Sequence, residues 1–275
     1  MRIRAGYDIA YDLPRPTPMV LLLNVRPERQ IDVETYDTIY TEPNLAVHAY
    51  IDAFGNRCSR IMAPAGRVRL YADFVVRDSG QPDPVVPFAG QAPVEHLPDE
   101  VLIFLLASRY CETDLLMDLA WSLFGNTPPG WRRVQAIVDY VHDRIAFGYH
   151  HARATRTAGE GHAEQVGVCR DYAHLAVALC RCMNIPARYC TGFLGDIGVP
   201  KSDAPMDFSA WFEVYLDGAW RTFDARHNTP RIGRILMAIG RDATDVALST
   251  SFGPSILSRF EVVTDEILPA AIAAQ

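Results

Sequence analysis

Long apolar runs are missing from this chain. Short runs such as Met19–Leu23 and Val101–Ala107 fall far below the roughly 20 apolar residues that span a bilayer. Runs of basic residues are missing too. Lys201 is the only lysine in the second half, arginine carries most of the positive charge, and the formal net charge is −7. That balance leaves no electrostatic footprint for nucleic acid, and neither a nucleic-acid nor a membrane partner is expected. Residues Met1–Asp8 hold no apolar signal core and no small-residue cleavage site, so a cytoplasmic protein is expected. The six cysteines (Cys58, Cys111, Cys169, Cys180, Cys182 and Cys190) lack the spacing of a disulfide framework. Cys180-x-Cys182 is neither a zinc nor a redox spacing and reads as helix packing, so no metal site is expected. Gly192, Gly195 and Gly198 do not follow the strand–loop–helix order of a phosphate site, which argues against nucleotide binding.

The 275 residues, 49% hydrophobic and 21% charged, have the composition of a folded globular chain. Residues 1–90 read as β. Ile3–Leu13, Met19–Val25, Leu45–Ala53, Arg57–Met62 and Val68–Arg77 are short strands separated by turn residues, the pattern of a small sandwich or barrel. The stretch from Ser79 to about residue 97 is rich in Pro and Gly and serves as the linker. A second unit is expected over 98–267. Helical pattern covers Val101–Ser108 and Leu115–Phe124. Thr127-Pro128-Pro129 opens a longer helix with Trp131, Val134, Ile137, Val138, Val141 and Ile145 on one stripe. Residues 146–167 read as a loop holding His150, His151 and His162. Strands are expected at Ala187–Leu194, Asp207–Leu216, Ala219–Ala225, Arg234–Ile239 and Ile256–Glu266, and the tail Leu268–Gln275 is expected to fray. The fold class is therefore α+β: helices with an antiparallel sheet, preceded by a small all-β domain.

Gly167-Val168-Cys169-Arg170-Asp171-Tyr172-Ala173-His174 carries the chemistry. A loop delivers Cys169 to the start of an amphipathic helix, whose unpaired N–H groups and positive dipole end favour thiolate and a lowered thiol pKa. Taken alone, a cysteine there reads as a packing residue more readily than as a nucleophile. Further on, Asp217-Gly218 is a two-residue hairpin turn that sets Leu216 opposite Ala219 and Phe212 opposite Phe223. Ser209, Trp211, Glu213 and Tyr215 then share one face with Trp220, Thr222 and Asp224, and Phe212, Val214, Leu216 and Phe223 line the apolar one.

Together with Asn184-Ile185-Pro186-Ala187-Arg188-Tyr189, Ala210–Leu216 and Trp220-Arg221-Thr222-Phe223-Asp224, this ordered set resembles the bacterial transglutaminase-like cysteine peptidase superfamily, with the N-terminal β domain that often precedes it. The resemblance implies a papain-like core and a thiol acyl-transferase or cysteine peptidase/amidase without an organic cofactor. Peptide or protein substrates would react through a Cys169 thioester. It implies Cys169 as nucleophile and Asp224 as the carboxylate that orients an imidazole. The family's histidine position is occupied by Ser209, which cannot act as a general base near neutral pH. Trp211 and Trp220, on the Asp224 face, are candidate substrate-binding residues, with packing as the alternative.

Three readings follow from Ser209. Another histidine serves, with His227 the alternative base. It needs a twist or bulge after Asp224, because an unbroken strand points it to the other face. His174 sits too far along the helix and reads as packing, and His150, His151 and His162 lie on the preceding loop. Alternatively, the domain is catalytically degenerate and binds a peptide or protein partner. In the third reading the helix terminus alone activates Cys169 toward activated esters.

Overall fold

The computed structural model describes residues 1–202 and 204–268. The tail 269–275, most of the segment expected to fray, lies outside the described residues. The chain begins with six strands: β1 (Arg2–Leu13), β2 (Thr17–Leu21), β3 (Tyr40–Glu42), β4 (His48–Ile51), β5 (Arg57–Ala63) and β6 (Gly66–Arg77). An irregular stretch leads to α1 (Asp99–Leu102), α2 (Thr113–Phe124) and α3 (Trp131–Arg144). Then come β7 (Ala146–Phe147), α4 (Ala158–Glu164), β8 (Val166–Gly167) and α5 (Cys169–Cys182). The remaining strands are β9 (Ala187–Phe193), β10 (Ser209–Leu216), β11 (Ala219–Phe223), β12 (Ile235–Gly240), β13 (Ser249–Ser251) and β14 (Ile256–Glu266).

Two four-stranded sheets, ordered β14-β1-β6-β3 and β13-β2-β5-β4, form the β-rich part. Alternation along β1 and β6 sends Ile3, Ala5, Ile9, Val68, Leu70 and Phe74 inward, where they meet Met19 and Leu21. The expected sandwich-like β region is therefore present, but it is completed from the far end of the chain. β14 pairs with β1 from Ile3↔Glu266 to Asp12↔Ile256, and β13 pairs with β2. The boundary 98–267 thus does not follow sheet membership. An amphipathic strand needs a partner edge, and β1 offers one that no alternation pattern reveals.

A third sheet, β11-β10-β9-β12, is antiparallel throughout. Helix α5 packs on it and buries Leu175, Ala176, Val177, Leu179 and Cys180 against Phe212, Val214 and Leu216. The stripe of α3 (Val134, Ile137, Val138, Val141) closes the other side of α5, so this helix is buried nearly all round. The two cores touch: Phe193, Phe208, Ile235 and Met237 join the apolar cluster of the β region. Gly192 permits the close approach of β9 to β12, since a Cβ there would sit 2.0 Å from the Ile235 carbonyl oxygen.

Residues 146–167, expected as loop, hold a short helix. Thr157 accepts the Glu160 N–H while the Glu160 carboxylate accepts the Thr157 N–H at 3.0 Å, a capping box legible in the sequence as Thr-x-x-Glu. The first expected helix is only one turn of α followed by a 3-10 turn ending at Leu105. Among the described residues no helix is long and apolar enough to cross a membrane.

Candidate active site

Asp171 sets the start of α5. Its carboxylate accepts the Val168 N–H at 2.9 Å and so caps one of the unpaired donors of the first turn. The buried guanidinium of Arg156 donates to the same oxygen at 3.0 Å and to the His151 carbonyl at 2.7 Å, tying the preceding loop to the helix. Gly167 is required by sterics here, because a Cβ would lie 2.7 Å from the Asp171 side chain. Tyr172 adds a hydrogen bond from its hydroxyl to the Ile145 carbonyl.

Cys169, the first residue of α5, is half-buried; the five other cysteines are buried. Its thiol packs beside Ala173 and Ala210, and the backbone N–H of Ala210 faces the sulfur. The expected lowering of the thiol pKa is not found. Burial pushes it up to about 11; the Arg226 charge and the Ala210 N–H oppose that, and Asp207 and Asp224 add to it. Desolvation outweighs the first-turn donors, so Cys169 is a thiol at neutral pH.

The hairpin carrying the other residues has the expected register. Asp217 and Gly218 adopt positive φ, and Phe212 pairs with Phe223. The strand stops at Phe223, and Asp224 folds the next residues back on itself. One carboxylate oxygen accepts the N–H groups of Arg226 and His227 at 3.0 and 3.1 Å; the other accepts His227 Nδ1 at 2.8 Å and an Arg234 Nη2–H at 2.9 Å. The Asn228 N–H returns to the Asp224 carbonyl at 2.8 Å with Asn228 at φ +50°. This side-chain-capped turn supplies the break that His227 needs to face Asp224. Burial of Asp224 opposes its ionisation, but Arg234 and His227 together hold its carboxyl well below the usual carboxylate range.

Ser209 begins β10 opposite Gly192. It is buried, and its hydroxyl has no hydrogen-bond partner among the described residues. It lines a cavity of about 60 Å³ with Tyr149, Asp207, Arg226 and His227. Asp207, Arg226 and Tyr149 were not singled out from sequence as site residues. Only an Asp two positions before Ser209, on the same strand parity, hinted at the first. The Arg226 guanidinium lies over the Phe147 ring at 3.8 Å, and it is Arg234 that pairs with the Asp224 carboxylate.

Trp211 and Trp220 do not line this cavity. Helix α5 packs on the Ala210, Phe212 and Val214 face of β10, and the two tryptophans lie on the opposite face. There Trp211 is buried with Cys190 and Ile239 beneath Arg234, and Trp220 packs edge-on to Phe104 with Arg188 over its ring at 4.1 Å. Both tryptophans are packing residues; the register was right, but it does not say which face a helix covers. His174 is fully buried between Tyr110 and Tyr189, its Nε2 accepting the Ala243 N–H, as its distance along the helix suggested. His162 bonds Tyr140, and His150 stacks on His151. No group of three metal-binding side chains is placed to hold an ion among the described residues.

The transglutaminase-like superfamily core model matches residues 118–225, the span from α2 through Asp224 to the start of the capped turn. A solved structure of a candidate cysteine protease from Cytophaga hutchinsonii superposes with a TM-score of 0.83 at 28% identity, covering 98% of this chain and 92% of that one. The periplasmic domain of TgpA from Pseudomonas aeruginosa gives a TM-score of 0.40 at 12% identity over 82% of this chain and 88% of its own. The uncharacterized protein ML0607 of Mycobacterium leprae is 36% identical over 88 residues, and this chain spans 30% of that relative's length. With its helix-borne Cys169 and its β10–β11 hairpin, the segment 118–225 thus forms a transglutaminase-like core.

Proposed function

We propose that this protein is a cysteine-nucleophile acyl transferase or peptidase/amidase, acting on peptide or protein substrates through a Cys169 thioester. The observation that carries the reading is the 2.8 Å contact between His227 Nδ1 and Asp224. It fixes the imidazole and leaves Nε2 free to exchange a proton. In this reading His227 replaces the imidazole that Ser209 cannot supply. With the thiol near 11, only about one part in 10⁴ is thiolate at pH 7, so a general base is needed at the moment of attack. Cys169 Sγ adds to the carbonyl carbon as its proton passes to His227. The C–N bond then breaks, the imidazolium protonates the departing amine, and water or a second amine resolves the thioester. No organic cofactor enters these steps. A cytoplasmic location belongs to the same proposal, supported by six unpaired cysteines.

Turnover of a peptide ester and a peptide anilide by wild type, Cys169→Ala, His227→Ala and Asp224→Asn tests this. Loss of activity in the first two, and a fall of at least about 10² in the third, is expected. Full activity in His227→Ala would end the assignment of the base. The second reading, a partner-binding domain without turnover, draws on the protonated thiol and on Ser209. Cys169-dependent turnover by the wild type eliminates it.

A further inference from the structure

Arg226 is placed for a ligand rather than for the fold. Its backbone is held at both ends of the Asp224 turn, with its own N–H and that of His227 on the carboxylate. Its guanidinium rests on Phe147 with the Tyr149 hydroxyl at its side, and it is half-buried at the cavity that also holds Ser209 and His227. Asp224 is occupied by His227 and Arg234, and among the described residues no carboxylate lies within ion-pair distance of Arg226. Asp207, which shares the cavity, is a desolvated carboxyl whose pKa burial pushes up, against the opposing Phe208 N–H and Arg226 charge. Ser209 adds a buried hydroxyl without a partner in the same cavity. A planar fork of N–H donors and one O–H complement the two oxygens of a carboxylate.

We propose that Arg226, assisted by Ser209, anchors a carboxylate on the leaving-group side of the scissile bond, so that the preferred substrates are peptides ending in a free carboxylate one residue beyond that bond. The inference rests on the function proposed above. The side follows from His227: the group that protonates the departing amine neighbours Arg226 in the chain and lines the same cavity. In the step itself the thiol proton goes by way of His227 to the amine nitrogen. The C–N bond breaks, the S–C bond forms, and the product released first is an amino acid whose carboxylate stays ionised throughout.

The test is binding to Cys169→Ala protein, which cannot turn substrate over. Titration calorimetry compares N-acetyl-Ala-Ala with its C-terminal amide. The acid should bind at least about tenfold tighter. Arg226→Gln in the same background should bring both ligands to the amide's affinity, and Arg226→Lys should keep part of the preference. Equal binding of acid and amide, binding of neither at millimolar concentration, or a preference that survives Arg226→Gln overturns the inference. The acid–amide comparison needs no Arg226 variant, so a misfolded substitution does not spoil it. Wild-type turnover without an acid preference sinks this inference alone; an acid preference without turnover sinks the catalytic reading alone.

Discussion

Alkylation of Cys169 tests the central electrostatic result. The other five cysteines are buried, so iodoacetamide should modify one thiol per folded chain. With an ordinary pKa near 8.5, about 3% of a thiol is thiolate at pH 7; at about 11 the fraction is about 10⁻⁴, a roughly 300-fold loss. A more basic thiolate is a better nucleophile, and a Brønsted slope of about 0.45 over about 2.5 units returns a factor of about 13. Cys169 should therefore react about 20 to 25 times more slowly than a free cysteine at pH 7, and its rate should climb about tenfold per pH unit up to pH 10. Arg226→Ala removes the main charge that opposes the rise and should slow labelling further across that range. His227→Ala should leave the profile unchanged while abolishing turnover, if the imidazole accepts the proton only during attack. Stopped labelling with mass spectrometry reads all three. An inflection below pH 8 in the wild type refutes the argument, because it would show a preformed thiolate for which no general base is needed.

Gly167→Ala places a Cβ 2.7 Å from Asp171 and should cost about 1–3 kcal/mol in urea unfolding; a loss under about 0.5 kcal/mol would show that the helix start can shift at no cost. Trp211→Ala empties a site that is 2% exposed and should cost about 3–5 kcal/mol, with the affinity of Cys169→Ala protein for N-acetyl-Ala-Ala unchanged in molecules that remain folded; weaker binding would return Trp211 to the substrate site. Burial lowers His174 to about 3, below its ordinary value near 6.5, so the unfolded chain binds the proton first. Its stabilising contribution is complete above about pH 6.5 and is lost as pH falls toward 3. Thermal melts should show this acid slope in the wild type and a shallower one in His174→Gln; equal slopes would assign the acid sensitivity to other groups.

Local patterns carried a large part of this protein. The alternation in residues 1–90, the stripe on α3, Asp217-Gly218 and the run from Gly167 to His174 depend on neighbours in the chain, so strands, helices, hairpin register and the position of Cys169 at the head of its helix were legible. So was the absence of an imidazole at position 209, and hence the question of which base serves. What the chain alone left open is everything set by contacts between distant segments. β14 joins β1 because an edge was free there; Trp211 and Trp220 pack away from Cys169 because α5 covers the other face of β10. His227 meets Asp224 because that carboxylate caps the turn after β11, and Arg226 is left without it because Arg234 reaches it from β12's approach. The thiol pKa was the hardest to read. A helix terminus is visible in sequence and favours thiolate, but the desolvation that outweighs it comes from residues brought together only by the fold.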